Sequence, residues 1–275
     1  MDIFPSNRIL VKKASGELEP FDHEKVKNSL QRAGANPQLA TDILKMVESE
    51  IYEGIPTRKI YQKVFAHLRS AGTHLAARYN LKRALMELGP TGYPFERYFA
   101  RLLEHDGYNT LVGQQIKGKC VWHEIDVVAE KEGGKFMIEA KYHNVPGIKT
   151  DTKVALYVYA RFLDVSAGDG FTQGWLVTNT KLTRDARHYC ECVGLKYLSW
   201  DRPDGGGLRD LIEKTPLYPV TILQTLSPKE KSTLLGEGIV TVQDLLKNLE
   251  SIPARKRADA QKEAQNLIDQ VATVS

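Results

Sequence analysis

Hydrophobic and polar positions follow a helical period over the first third of the chain and a strand period in its middle. Ile9-Leu10-Val11, a turn at Ala14-Ser15-Gly16-Glu17 and Phe21-Asp22 predict an opening hairpin. Four helices are then expected. Asp22 caps the first, His23 to about Ala33, with Val26 and Leu30 one turn apart; the second runs from Pro37 to Tyr52 on Leu39, Ile43, Met46 and Val47. Thr57 is placed to cap the third, which carries Ile60, Val64 and Leu68, and the fourth spans about Thr73 to Leu88. Gly34-Ala35-Asn36-Pro37, Gly54-Ile55-Pro56 and Gly89-Pro90 separate them.

After a linker at Thr91-Gly92-Tyr93-Pro94 the pattern changes. A helix from Phe95 to His105 precedes strands at about Asn109–Gln115, Cys120–Ala129 and Lys135–Lys141. A helix from about Thr150 to Leu163, an apolar strand at Gly174–Thr178, a helix capped by Thr183 and ending at Cys192, and a strand at Lys196–Ser199 complete this part. The order αβββαβαβ predicts a mixed sheet covered by helices. Beyond Gly205-Gly206-Gly207 the chain is helical again: a short helix at Leu208–Lys214, two helices between Leu226 and Leu246 joined by a glycine turn, and a last one over Pro253–Val274. Its basic start, Arg255-Lys256-Arg257, sits badly with the helix dipole and leaves a backbone contact to acid or, preferred, a solvated face. The expected class is multidomain α and α/β, with boundaries at 1–90, 91–202 and 203–275.

Composition narrows the function classes. An apolar fraction of 42% with 26% charge is that of a folded chain, so disorder is not the default. No apolar run approaches the ~20 residues of a membrane helix, and the first residues lack a secretory pattern, so a cytoplasmic protein without a membrane partner is expected. Three cysteines make neither a disulfide framework nor a C-x-x-C zinc site. A net charge of +4 suits nucleic acid without arguing for it alone.

The chemistry is concentrated between Cys120 and Tyr142. Strand alternation puts Glu139 and Lys141 on one face and Ile138 and Ala140 on the other; in the preceding strand it groups Glu124 with Asp126. Two acids suit a hard divalent cation, and a lysine beside them suits a phosphate or a hydrolytic water. The bland alternative is a cross-strand salt pair on a wet surface, worth only ~0.2–1 kcal/mol. An acidic pair in the middle of a sheet whose other face is apolar argues for the metal.

Gly92, Phe95-Glu96, Gly107-Tyr108, Glu124-Ile125-Asp126-Val127, Glu139-Ala140-Lys141 and Val177-Thr178-Asn179 before Ala186 resemble the PD-(D/E)xK nuclease superfamily, in its Mrr-like restriction endonuclease branch. The resemblance covers about residues 91–200. It implies that Asp126 and Glu139 ligate Mg²⁺ or Mn²⁺, that Lys141 orients or helps deprotonate the attacking water, and that Glu96 is an additional acidic group of the catalytic set. Glu124 is an alternative ligand, and Gln115 and His143 flank the site.

The first third resembles the ATP-cone, a nucleotide-binding regulatory domain, through Val11, Lys13, Ser15-Gly16, Glu19, Pro20-Phe21-Asp22, Lys25-Val26, Gly54-Ile55, Thr57 and Ala77-Arg78-Tyr79. The family's arginine after the lysine is Ala14 here. The resemblance implies that Val11, Lys13, Glu19, Asp22, Lys25 and Thr57 lie against ATP or dATP. Near the C-terminus, Leu235-Gly236-Glu237-Gly238-Ile239 resembles a helix-hairpin-helix turn, which leaves two readings, a phosphate contact or plain packing.

The expected function is therefore a Mg²⁺-dependent DNA endonuclease, restriction- or repair-like, regulated by a nucleotide that is not fuel, because no P-loop is present. The alternative is a catalytically inactive, nucleotide-responsive regulator that binds nucleic acid; a structural adaptor is a third reading. Homo-oligomerisation is left open.

Overall fold

The computed structural model describes residues 9–13 and 15–272, so Ala14 lies outside the described residues. The chain forms two compact units, one ending at Leu81 and one beginning at Lys82.

In the first unit β1 (Leu10–Lys12) pairs antiparallel with β2 (Leu18–Pro20). Around them lie α1 (His23–Arg32), α2 (Pro37–Glu50), α3 (Thr57–Ala71) and α4 (Thr73–Tyr79). Asp22 caps α1 as expected, accepting the Lys25 amide at 2.9 Å. Gly54-Ile55-Pro56 is more than a breaker: Ile55–Pro56 is a strand, β3, running parallel to β1. Because the chain enters α3 directly from β3, Pro56 takes the cap position and Thr57 makes no side-chain cap. The expected fourth helix is broken at Asn80, where α4 ends before α5 (Leu81–Met86). Asn80 is 6% exposed and its Oδ1 accepts the Tyr61 hydroxyl at 2.6 Å, a tertiary bond that overrides local helix propensity. Leu30, Ala40, Ile43, Val47, Val64 and Leu68 fill the core.

The second unit is built on one mixed sheet. Its strands are β4 (Asn109–Lys117), β5 (Trp122–Lys131), β6 (Gly134–Lys141), β8 (Gln173–Thr178) and β10 (Lys196–Leu198), while β7 (Lys149–Thr150) and β9 (Lys181–Leu182) form a small parallel pair beside it. The order is β10-β8-β6-β5-β4, with β4, β5 and β6 antiparallel and β6, β8 and β10 parallel. α6 (Tyr93–His105) packs on β4, β5 and β6 and buries Phe95, Tyr98, Phe99, Leu102 and Leu103, the i, i+3, i+4, i+7, i+8 stripe of an amphipathic helix. β8 is buried from Gly174 to Thr178, as a parallel strand covered on both faces must be.

α7 (Thr152–Asp169) runs a turn and a half beyond the expected end at Leu163. The extra residues hold the β4–β5 turn: the Asp164 carboxylate accepts the Cys120 amide at 2.8 Å and the Val121 amide at 3.2 Å, and pairs with His123 Nε2 at 2.8 Å. A Cβ on Gly168 would sit 2.9 Å from the Lys117 carbonyl oxygen, so this close approach needs glycine. α8 (Arg184–Val193) is capped by Thr183, whose Oγ1 accepts the Ala186 amide.

Beyond α9 (Leu208–Glu213) come α10 (Pro228–Gly236), α11 (Val242–Lys247) and α12 (Ala254–Ala272). The basic start of α12 is not simply solvated. Lys256 pairs with Glu230 at 2.7 Å, and Arg257 donates to the carbonyls of Ile252 and Glu250. Among the described residues no helix is long and apolar enough to cross a membrane.

Candidate active site

The site lies where β5 and β6 part. Their ladder runs from Lys131↔Gly134 to Val127↔Ile138 and stops before the next pair, Asp126 and Glu139. On the other side of β5 the ladder to β4 skips Gly113, whose φ of +65° only glycine adopts freely. Asp126 thus sits at a break in the pairing on both sides. β6 meanwhile continues along β8 to Lys141↔Thr178, which keeps Glu139 and Lys141 on a rigid central strand.

Each carboxylate has one oxygen tied to the protein. Asp126 Oδ2 accepts the Ala140 amide at 2.8 Å, and Glu139 Oε2 accepts Arg161 Nη1 at 2.5 Å. Neither Asp126 Oδ1 nor Glu139 Oε1 has a protein hydrogen-bond partner among the described residues. The acids repel one another. Glu96, in the first turn of α6, is pushed up to about 7 by burial and then by Asp126, Glu139 and Glu124. Glu139 is raised by burial and by Asp126, and Asp126 chiefly by burial. Lys141 is exposed and close enough to favour the charged form of both Asp126 and Glu139.

This donor set fits a hard cation. No group of three or more His, Cys, Asp or Glu among the described residues is arranged around one metal position. Two carboxylates, each with a spare oxygen and a raised proton affinity, match Mg²⁺, which keeps several waters and takes one or two protein carboxylates beside substrate phosphate. Burial, with mutual repulsion added to it, has a measurable consequence. Carboxyls that bind protons more tightly folded than unfolded make stability fall as pH rises between their unfolded and folded pKa values. Without divalent cation, the melting temperature is therefore expected to be lower at about pH 8 than at about pH 5.5, and Mn²⁺ should raise it more at the higher pH. Scanning fluorimetry checks this; a melting temperature that climbs over that window contradicts it.

The neighbours settle into positioning roles. Asn179, fully buried, accepts the His143 amide at 2.9 Å and donates to the His143 carbonyl at 2.7 Å, so Val177-Thr178-Asn179 anchors the backbone just after Lys141. His143 Nε2 lies 3.1 Å from Thr150 Oγ1, and Gln115 Nε2 reaches Glu124 Oε2 at 3.5 Å. The residue that sequence reasoning missed is Arg161. The available signal was its isolation as the one charge in the apolar run Val154–Leu163.

The six nucleotide candidates lie on or beside β1 and β2 and at the starts of α1 and α3. Lys13 Nζ pairs with Glu19 Oε2 at 2.6 Å, and the Lys12↔Pro56 pairing brings Lys13 and Thr57 to the same end of the small sheet. Asp22 and Lys25 follow the opposite end of this three-residue ladder, about 10 Å long at ~3.3 Å per residue. Val11 is packed into the core, 3% exposed. In the C-terminal turn the Glu237, Gly238 and Ile239 amides are bonded to the carbonyls of Thr233, Leu235 and Leu234, and Arg97 of α6 lies against Gly238, where a Cβ would be 2.6 Å from Nη2. Three amides of the turn are thus engaged within the chain, and Arg97 covers its glycine.

Three known domain families match the chain in succession: the ATP cone domain over residues 9–86, the restriction endonuclease family Mrr_cat over 89–202, and the AF1548-like C-terminal domain over 218–268. An uncharacterized protein of Archaeoglobus fulgidus is 45% identical over 147 residues, spanning 54% of this chain and 83% of that protein. The crystal structure of AF1548, a protein of unknown function, superposes with a TM-score of 0.53 at 38% identity, covering 67% of this chain and 98% of that one.

Proposed function

Starting from a chain that belongs to the AF1548-like family, with an ATP cone, a restriction endonuclease domain and a C-terminal domain in succession, we propose a DNA endonuclease that depends on Mg²⁺ or Mn²⁺ and is regulated by ATP or dATP. The observation that carries this is the fork between β5 and β6, where Asp126 and Glu139 each keep one oxygen without a protein partner.

Asp126 and Glu139 would hold the cation through those two oxygens. The bound cation supplies Lewis-acid polarisation of a phosphodiester. Lys141, exposed beside both acids, orients the attacking water and offsets the charge that builds on the phosphate. Glu96, with its proton affinity raised toward neutrality, is suited to take or return a proton at the edge of the site. The Ala140 amide and Arg161 fix the other carboxylate oxygens, so the acids approach the cation from held positions. In this reading residues 1–90 sense the nucleotide through Val11, Lys13, Glu19, Asp22, Lys25 and Thr57. Residues 91–202 hydrolyse DNA, and 203–275 brace the helix that carries Glu96.

The test uses the full chain with plasmid and single-stranded DNA, with Mg²⁺, Mn²⁺ or chelator, and with or without ATP or dATP. Cleavage that requires a divalent cation and changes with the nucleotide is expected. Protein inert under every combination overturns the hydrolytic reading, and the same rate with and without nucleotide overturns the regulatory one.

A further inference from the structure

Arg161 stands in the middle of α7 and is 7% exposed. Its guanidinium spans the fork: Nη1 donates to Glu139 Oε2 on β6 at 2.5 Å, and Nη2 donates to the backbone carbonyl of Glu124 on β5. Its carbon centre lies 5.3 Å from the Tyr157 ring centroid, one helical turn away, and its Nε is buried without a hydrogen-bond partner. A buried guanidinium with an unsatisfied donor is costly, so a helix core keeps one there only under strong constraint. The constraint is visible at both ends of the bridge. One prong fixes a carboxylate oxygen of Glu139; the other fixes β5 two residues before Asp126, where the β5–β6 ladder has already ended.

We propose that Arg161 is a positioning residue for the divalent cation: it sets the width of the β5–β6 fork, presents Glu139 through its remaining oxygen Oε1, and supplies the permanent positive charge that keeps the crowded acids together before the cation arrives. Arginine suits this because it stays protonated at any accessible pH and its planar fork reaches two acceptors at once. A lysine in its place would keep the charge and lose the span. Groups that orient a metal ligand from behind change metal affinity by ~10–100-fold when removed. Arg161 and the cation therefore act on different oxygens of Glu139 and do not compete for one.

This inference rests on the metal-dependent reading, and the experiment separates the two. Mn²⁺ binding to the full chain without DNA is measured by calorimetry for wild type, Arg161→Met and Arg161→Lys, with near-ultraviolet circular dichroism and melting curves recorded metal-free. Mn²⁺ affinity is expected to drop ~10–100-fold in Arg161→Met and by a smaller factor in Arg161→Lys. Should Arg161→Met fail to fold, a weaker Mn²⁺ affinity in a folded Arg161→Lys carries the proposal. Folded variants that bind Mn²⁺ as tightly as wild type overturn it. So does a gain in affinity, which would make Arg161 a competitor of the metal. If wild type itself takes up no Mn²⁺, the metal reading falls and this inference with it.

Discussion

On the endonuclease reading, Asp126→Asn is expected to lower DNA cleavage by a factor on the order of 10³ or more, about 4 kcal/mol of transition-state stabilisation, while the protein melts at a higher temperature than wild type. The two halves have one cause. An asparagine oxygen still accepts the Ala140 amide, so the break between β5 and β6 is preserved. The negative charge is lost, and with it a ligand for a divalent cation. Burial still raises the proton affinity of Glu96 and Glu139, but the part that Asp126 adds by repulsion is relieved. Sites that gather like charges for chemistry hold stability in reserve, and neutralising one member releases it. Lys141→Ala is the contrasting variant: cleavage is expected to drop while Mn²⁺ binding persists, because both carboxylates stay held by the Ala140 amide and Arg161. Plasmid cleavage, calorimetry with Mn²⁺ and a metal-free melting curve read all three effects. Cleavage that survives Asp126→Asn would remove that carboxylate from the mechanism.

Glu263→Ala destabilises the second unit by ~3 kcal/mol, the largest effect expected from a residue distant from the candidate site. Glu263 lies on α12, is 8% exposed, and accepts three hydrogen bonds: the Gln224 amide at 2.7 Å, the Thr225 amide at 3.0 Å and the Thr225 hydroxyl at 2.6 Å. Alanine leaves the part-buried Gln224 and Thr225 amides without their protein acceptor, and the cost is chiefly the desolvation of those amides. Glu263→Gln keeps an amide oxygen in place and is expected to lose about half as much. Urea unfolding followed by circular dichroism measures both. A Glu263→Ala midpoint equal to wild type would show that water reaches the loop before α10.

The strands that carry Asp126, Glu139 and Lys141 were legible because period-two alternation and a Glu-Gly-Gly hairpin fix their register within a residue or two. Glu96 was named from the family resemblance alone; the structure places it in the first turn of α6. What escaped depends on partners far away in the chain. Arg161 reaches Glu139 across 22 residues of sequence, a separation that no spacing rule encodes. Asp164 and Gly168 lie beyond the expected helix end at Leu163, and they hold the β4–β5 turn. Asn80 breaks a helix because Tyr61 holds its side chain. The glycine turn at Gly236–Gly238 matched a phosphate-binding pattern, and its amides turned out to be engaged by the preceding helix and its surface covered by Arg97. Local propensity describes the elements; such contacts decide where they stop and what they touch.

The grip on α6 bears on where this protein tolerates truncation. Tyr98, fully buried, donates its hydroxyl to the Leu217 carbonyl at 2.7 Å, Arg97 lies under Gly238, and Arg101 Nε is 3.7 Å from an Asp244 carboxylate oxygen. All three come from the helix that presents Glu96, and all their partners lie after residue 202. A fragment trimmed to the nuclease match at 89–202 would strip one side of that helix and lay Tyr98 bare to water. The smallest fragment that keeps Glu96 in place is thus set by helix support, and it extends at least through Asp244 of α11.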